Sequence, residues 1–392
     1  MNNKLTQKIF GSVLVFLMAP VLINAERGGG RKIVVFSGAL NEQAKDELIS
    51  KHGGVKFKDL SLVNGSAVWL PDKASEKAIE EHPGVLRIDD DVEVFALASG
   101  KNNNEATILA QTLPWGIDRI DAELVWPSGN TADLIKIGII DTGISKDHSD
   151  LTANIKGGIN TINPAKSWND DNGHGSHVAG IVAALNNTIG VIGTGPAVDL
   201  YAIKVLNRNG SGFLSDIIEG IQWASANNIK IANMSLGTTS NVQSFHDAII
   251  TAYNNGMVMV AAAGNNGGAV NFPAAYPEVI AVSATDINNN IASFSSRGPE
   301  VDLAAPGVSI LSTYKGNNYA TLSGTSMASP HVAGTAALVI SAPVGTYDAN
   351  FNGQWDPAEV KQKLQDTAVD LGTTGFDNLF GWGLVNAFAA VQ

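Results

Sequence analysis

Five short apolar runs recur through the second two thirds of this chain, at residues 136–140, 199–205, 229–234, 257–262 and 279–282. Segments of helical period separate them, and helices are expected over 174–185, 214–227, 244–254, 327–340 and 358–366. A strand apolar on both faces is buried on both faces, and strands alternating with helices build a mostly parallel sheet covered on either side. The expected fold class is therefore α/β. In such sheets the reactive side chains gather at the carboxyl ends of the strands.

Composition narrows the chemistry. A chain of 392 residues with 44% hydrophobic content and 41 glycines can bury a large core. A net charge of −12 without a basic cluster excludes a nucleic-acid surface. No cysteine is present, so thiol catalysis, disulfides and cysteine-bound zinc are ruled out.

The N-terminal third is organised differently. Residues 1–25 carry Lys4 and Lys8, an apolar run over 9–23 and Ala25, the pattern of a cleaved signal peptide. A membrane anchor is the alternative, but the run is short and Pro20 interrupts it. The expected product is secreted, with no membrane span in its mature form. Within residues 26–97, a strand is expected over 32–36, a helix over 42–52, a strand over 67–70, a helix over 75–82 and an extended acidic stretch over 85–95. That order fits a small α+β, ferredoxin-like unit. Residues 98–110 turn polar and read as an exposed linker and processing region. The main domain is expected over 111–392.

Four segments carry candidate reactive groups. Asp141 closes the first apolar strand, where a carboxylate needs a partner or a capping role. His174 opens a helix between glycines; pairing with His177 on zinc is a weak alternative without a third ligand. Residues 322–334 run through small side chains to Ser326 and then into an apolar helix from Met327, with Pro330 expected in its first turn. Ser326 is either a helix N-cap or a nucleophile beside free backbone N–H groups. Asn265 follows another strand end, where its amide can project into a cleft.

Together the stretches Asp141-Thr142-Gly143, Asn172-Gly173-His174-Gly175-Ser176-His177, Gly264-Asn265 and Gly324-Thr325-Ser326-Met327-Ala328 resemble the subtilisin family of serine endopeptidases, in that family's Asp, His, Ser order. The likeness covers residues 110–392, and 32–97 is similar to the family's inhibitory propeptide. No Gly-x-Ser-x-Gly elbow is present, which argues against an α/β-hydrolase. The resemblance implies a self-processing precursor acting through an acyl-enzyme. Ser326 would be the nucleophile, His174 the base, Asp141 its orienting carboxylate, and Asn265 with the Ser326 N–H the oxyanion donors.

It further implies that Gly210, Ser211 and Gly212 on one side, and Ser235, Leu236 and Gly237 on the other, sandwich an extended protein substrate. Leu214, Ile217 and Leu236 would line the pocket for the fourth residue before the cut, unless they are ordinary core. Gly264 and Asn271 would border the first, where large apolar residues are expected because no acid stands there. The tail Val94, Phe95, Ala96, Leu97 has that pattern, so the chain's own propeptide is expected to lie in the cleft as an intramolecular inhibitor, cut near Leu97 or within the linker.

A structural calcium ion is likewise implied, held by the side chains of Gln111, Asp150 and Asn187 and the carbonyls of Leu185, Ile189 and Val191. Outside the family's usual pattern, Asp348, Asn350, Asn352, Gln354, Asp356 and Glu359 fit the spacing of a second calcium loop, with Gly353 at its turn. A polar surface loop capped by Asp356 and Pro357 is the alternative. The mature protein is expected to be monomeric. A catalytically silent binding relative and a zinc hydrolase are the rival classes.

Overall fold

The computed structural model describes residues 28–98 and 110–392; the expected signal peptide and residues 99–109 of the linker lie outside the described residues. The N-terminal unit runs β1 (Gly28–Phe36), α1 (Glu42–Lys51), β2 (Val55–Leu60), β3 (Gly65–Asp72), α2 (Lys73–Glu80) and β4 (Val85–Asp90). Its sheet has the order β2-β3-β1-β4 with antiparallel pairings. Both helices start at side-chain caps, Asn41 accepting from the Ala44 N–H and Asp72 from the Ser75 N–H.

Alternation along β1 sends side chains to two cores. Val34 and Phe36 pack with Leu48, Ile49 and Ile79 inside the unit. Ile33 and Val35 face the main domain, among Ile217, Ile221 and Ala248. Strand β2 was not legible because its pattern is inverted: Val55 and Phe57 are exposed, while Lys56 and Lys58 are ion-paired to Asp46 and Glu219.

A further strand, β5 (Glu93–Ala96), leaves the unit and joins the main domain. There α3 (Trp115–Arg119), β6 (Lys136–Asp141), β7 (Ile155–Asn160), α4 (His174–Ala183) and β8 (Asp199–Lys204) come first. They are followed by β9 (Ser211–Phe213), α5 (Leu214–Ala226), β10 (Ile231–Met234), β11 (Leu236–Gly237) and α6 (Gln243–Asn254). The chain ends through β12 (Val258–Ala262), β13 (Val279–Thr285), β14 (Leu303–Pro306), the hairpin β15 (Ile310–Tyr314) and β16 (Asn318–Leu322), then α7 (Thr325–Ile340), α8 (Pro357–Asp366) and α9 (Ala387–Ala390).

Seven strands form one sheet in the order β14-β13-β12-β10-β6-β8-β7, and every pairing is parallel. One core packs α4 and α7 against one face; the other packs α5 and α6 against the opposite face. After β6 the chain first adds strands on one side and then crosses to add the rest on the other. The carboxyl end of β6 therefore sits at the switch point, where crevices open in sheets of this type. Asp141 is its last residue.

Helix α7 begins earlier than its sequence suggests. Gly324 is the residue before it and makes no side-chain cap, so Ser326 lies inside the first turn and is not an N-cap. Pro330 consequently falls in the second turn, where its missing N–H leaves the Ser326 carbonyl without its helical donor. The Ser235 hydroxyl supplies one instead, at 3.0 Å.

Candidate active site

The structure brings Asp141 and His174 into direct contact. His174 is the first residue of α4, and its Nδ1 lies 2.8 and 2.9 Å from the two Asp141 carboxylate oxygens. Nδ1 therefore carries the proton, and Nε2 is left as an acceptor; it is buried without a hydrogen-bond partner among the described residues. Burial works against the charged imidazolium, but the Asp141 carboxylate outweighs it and raises the His174 pKa. Gly173 holds a φ of 115°, and a Cβ there would come within 2.3 Å of the Tyr314 ring. Glycine thus lets the histidine turn close against that ring.

His177 does not join it. Its Nε2 faces the Ile310 and Ala320 carbonyls at 3.1 and 3.0 Å, so it is a donor there rather than a ligand, and burial pushes its pKa down to about 3. The zinc pair is thereby disfavoured on geometry.

Ser326, fully buried at the start of α7, donates its hydroxyl to the Ser235 carbonyl at 3.0 Å instead of to His174. The cleft beside it is occupied by a segment of the chain itself. Strand β5 pairs antiparallel with β9 on one side and β11 on the other, so residues 93–96 form the middle of a three-stranded sheet. The Ala96 N–H donates to Gly210 and the Leu97 N–H to Ser235, at 2.9 and 3.1 Å. The Leu97 carbonyl then sits 2.5 Å from Asn265 Nδ2 and 3.4 Å from the Ser326 N–H. Ala96 and Ala98, on either side of Leu97, line a cleft of about 260 Å³ with His174, Asn172 and Tyr314.

Asn265 cannot present its other face. Its Oδ1 accepts from both the N–H and the hydroxyl of Thr325, each at 2.9 Å, which leaves the NH₂ to point at Leu97. Gly324 is required here, because a Cβ would lie 2.7 Å from the Leu97 oxygen.

The expected substrate contacts divide cleanly. Gly210, Ser211 and Gly212 lie along one edge and Ser235, Leu236 and Gly237 along the other. Val94 is fully buried in one cluster with Leu214, Ile217 and Leu236. The Leu97 side chain reaches Gly237, with Asn271 adjoining, while Gly264 backs onto Asn271 and Ser296. Sequence reasoning missed Thr325, which bonds Asn265 from 60 positions away, and Asp170, which accepts from its near neighbours Asn172, Gly173 and Ser176 and from the more distant Thr142.

The residues of the two expected calcium sets lie near one another and bond among themselves, and no cluster of three or more His, Asp or Glu side chains able to hold a metal occurs among the described residues. Asp150 is fully buried and accepts from Asn187 Nδ2 at 2.8 Å and the Val191 N–H at 2.9 Å; Gln111 Nε2 donates to the Leu185 carbonyl, and Ile189 donates its N–H to Asn187. In the 348–359 loop, Asp348 accepts from the N–H groups of Asn352 and Gly353, and Glu359 from those of Ala349 and Asp356. Asn350 and Asn352 both donate to Asp356, and Gln354 donates its N–H to Asn352.

Residues 132–383 match the model of the subtilase peptidase family. An alkaline protease of Shouchella clausii is 45% identical over 316 residues, covering 80% of this chain and 76% of that protein. Subtilisin Savinase of Lederbergia lenta is 47% identical over 284 residues, 72% of this chain and 100% of that protein. A thermostable alkaline protease of Halalkalibacterium halodurans is 40% identical over 393 residues, spanning 100% of both.

Proposed function

The chain belongs to the subtilase family and is a serine endopeptidase; from that premise we propose that Ser326, His174 and Asp141 carry its chemistry on a precursor that cuts itself between Leu97 and Ala98. The observation behind this reading is the Leu97 carbonyl, held between Asn265 Nδ2 and the Ser326 N–H. The Ser326 oxygen attacks the Leu97 carbonyl carbon, and His174 Nε2 takes the hydroxyl proton. The resulting oxyanion rests on Asn265 and the backbone N–H. His174 then gives the proton to the Ala98 nitrogen, which leaves, and water later hydrolyses the Leu97 acyl ester by the same route. For external proteins the same strand sandwich reads main chain, with large apolar side chains preferred where Leu97 and Val94 lie.

Residues 26–97 then act as the propeptide inhibitor. Asp91 accepts from the N–H at Ser215 and Asp89 from that at Ser244, beside the starts of α5 and α6, and Lys58 pairs with Glu219. The signal peptide over 1–25 delivers the precursor outside the cell, and the mature enzyme works as a monomer. No helix among the described residues is long and apolar enough to cross a membrane. A fluorophosphonate probe is expected to label the purified mature enzyme on Ser326, with the mature chain starting at or after Ala98. Labelling elsewhere, or a start before Ala98, would reject this assignment.

The raised His174 pKa sets an acid limit. Acylation needs the neutral imidazole, so activity is present above the folded pKa and is lost as pH falls through it. The acid limb of kcat/KM is expected above the ordinary histidine value of about 6.5, and Asp141→Asn should move it to lower pH. A pH–rate profile on a short chromogenic peptide checks both.

We assign structural calcium to the Gln111, Asp150, Leu185, Asn187, Ile189 and Val191 set. Asp150 is a buried carboxylate without a Lys or Arg partner among the described residues, and burial raises its pKa, which suits a cation partner. Turning the Gln111 and Asn187 amides would present their oxygens. A second, weaker ion is assigned to the 348–359 loop. With calcium at about a thousand times its Kd, binding adds about 4 kcal/mol, so chelation should lower Tm by roughly 10 °C. Activity at 25 °C should at first survive, whereas a zinc enzyme would lose it at once. Terbium luminescence sensitised through Trp355 and abolished by Asp348→Asn checks the second loop.

A further inference from the structure

We infer that Asp170 is a positioning residue for the His174–Asp141 pair, its buried carboxylate pinning the end of β6 to the first turn of α4. Oδ1 accepts from the Thr142 hydroxyl and the N–H groups of Asn172 and Gly173, all at 2.9 Å. Oδ2 accepts from the N–H and hydroxyl of Ser176 at 2.9 and 2.6 Å. Thr142 and Ser176 use their own hydroxyl oxygens to accept the N–H groups of Gly175 and Ser145, at 2.9 Å each. Each hydroxyl has one proton, and it must therefore point at Asp170.

Five donors thus converge on one side chain that is only 4% exposed, and no Lys or Arg pairs with it among the described residues. Burial raises the Asp170 pKa, and the five donated hydrogen bonds oppose that by favouring the carboxylate anion. A buried anion without a counter-ion is costly and persists where hydrogen bonds hold it. The Thr142 bond ties Asp170 across to a second segment, beside the Gly175 N–H bond to Thr142 and the Ser145 N–H bond to Ser176. That segment is 142–145, continuing from Asp141; the one Asp170 belongs to runs on through 172–176, which carries His174.

The consequence for chemistry is geometric first. The direction of His174 Nε2 depends on where α4 starts relative to Asp141, and a misplacement of about 1 Å can cost roughly 100-fold in rate. A second consequence is electrostatic, since Asp170 adds negative charge near the imidazole alongside Asp141. The other titratable groups near it are His177 in α4, which is neutral, and Lys204 in β8. The Lys204 ammonium is held on the Thr142 and Leu206 carbonyls and paired with Asp171.

This inference rests on His174 and Asp141 being the catalytic pair, so the test uses mature enzyme whose active sites are counted with a fluorophosphonate. With a short chromogenic peptide, Asp170→Asn is expected to lower kcat per titrated site by roughly 10- to 100-fold, with KM within about twofold. Its acid limb should shift to lower pH. Thr142→Val, which removes one donor and the Gly175 acceptor, should lower kcat in the same direction, and Thr142→Ser should restore it. A smaller titratable fraction with unchanged kcat per site and unchanged acid limb would overturn the inference. If Asp170→Asn does not fold, wild-type kcat in Thr142→Val overturns it equally. Failure of the catalytic assignment looks different: His174→Ala would then retain activity.

Discussion

Ser326→Ala is expected to accumulate as a full-length precursor with the Leu97–Ala98 bond intact. The substitution removes one oxygen from a fully buried site and leaves the α7 backbone, the Asn265 amide and the β5 pairing unchanged. The lost hydroxyl bond to Ser235 is a single one, so folding should survive. Without the nucleophile, turnover should fall by roughly 10⁶-fold in kcat, the scale known for subtilisin itself when this group is removed. Gel mobility and N-terminal sequencing of the purified variant read the result. Normal processing in that variant, at a protein concentration too low for cutting between molecules, would remove self-cleavage from consideration.

Asn265→Ala is the second large effect. Asn265 Nδ2 is the shorter of the two contacts to the Leu97 carbonyl, 2.5 Å against 3.4 Å for the Ser326 N–H. As the carbonyl becomes an oxyanion, the amide bond strengthens, so its loss should appear in kcat rather than KM. The expected fall is about 10²- to 10³-fold, or roughly 3–4 kcal/mol, the range known for the oxyanion amide of subtilisin. Part of it could come through Thr325, which loses its Asn265 acceptor. Thr325→Val in the native Asn265 background isolates that part. An unchanged kcat in Asn265→Ala, with intact Tm, would take the amide out of the mechanism.

How far the chain announces these features depends on the range of the interaction. Strands β6, β8, β10, β12 and β13 are apolar on both faces, and that composition is local, so each was legible. Strand β7, Ile-Lys-Gly-Gly-Ile-Asn, lacks the pattern and takes its place from pairing with β8. The start of α7 was read two residues late because Gly324-Thr325 has no helical signature.

The amino-acid sequence determined the sheet type and marked Asp141, His174, Asn265 and Ser326, in order, as candidate reactive groups, because each is distinguished by its near neighbours. Only the tertiary structure decided which of those groups touch, bringing His174 onto Asp141. It placed Leu97 on Asn265, turned the Ser326 hydroxyl to Ser235 while the cleft is filled, and gathered five donors on Asp170. Four of the Asp170 donors lie within 6 residues of it, but the Thr142–Asp170, Ser326–Ser235 and Leu97–Asn265 contacts span 28, 91 and 168 positions. Loop closure and packing set them, and neither leaves a period in the chain to be read.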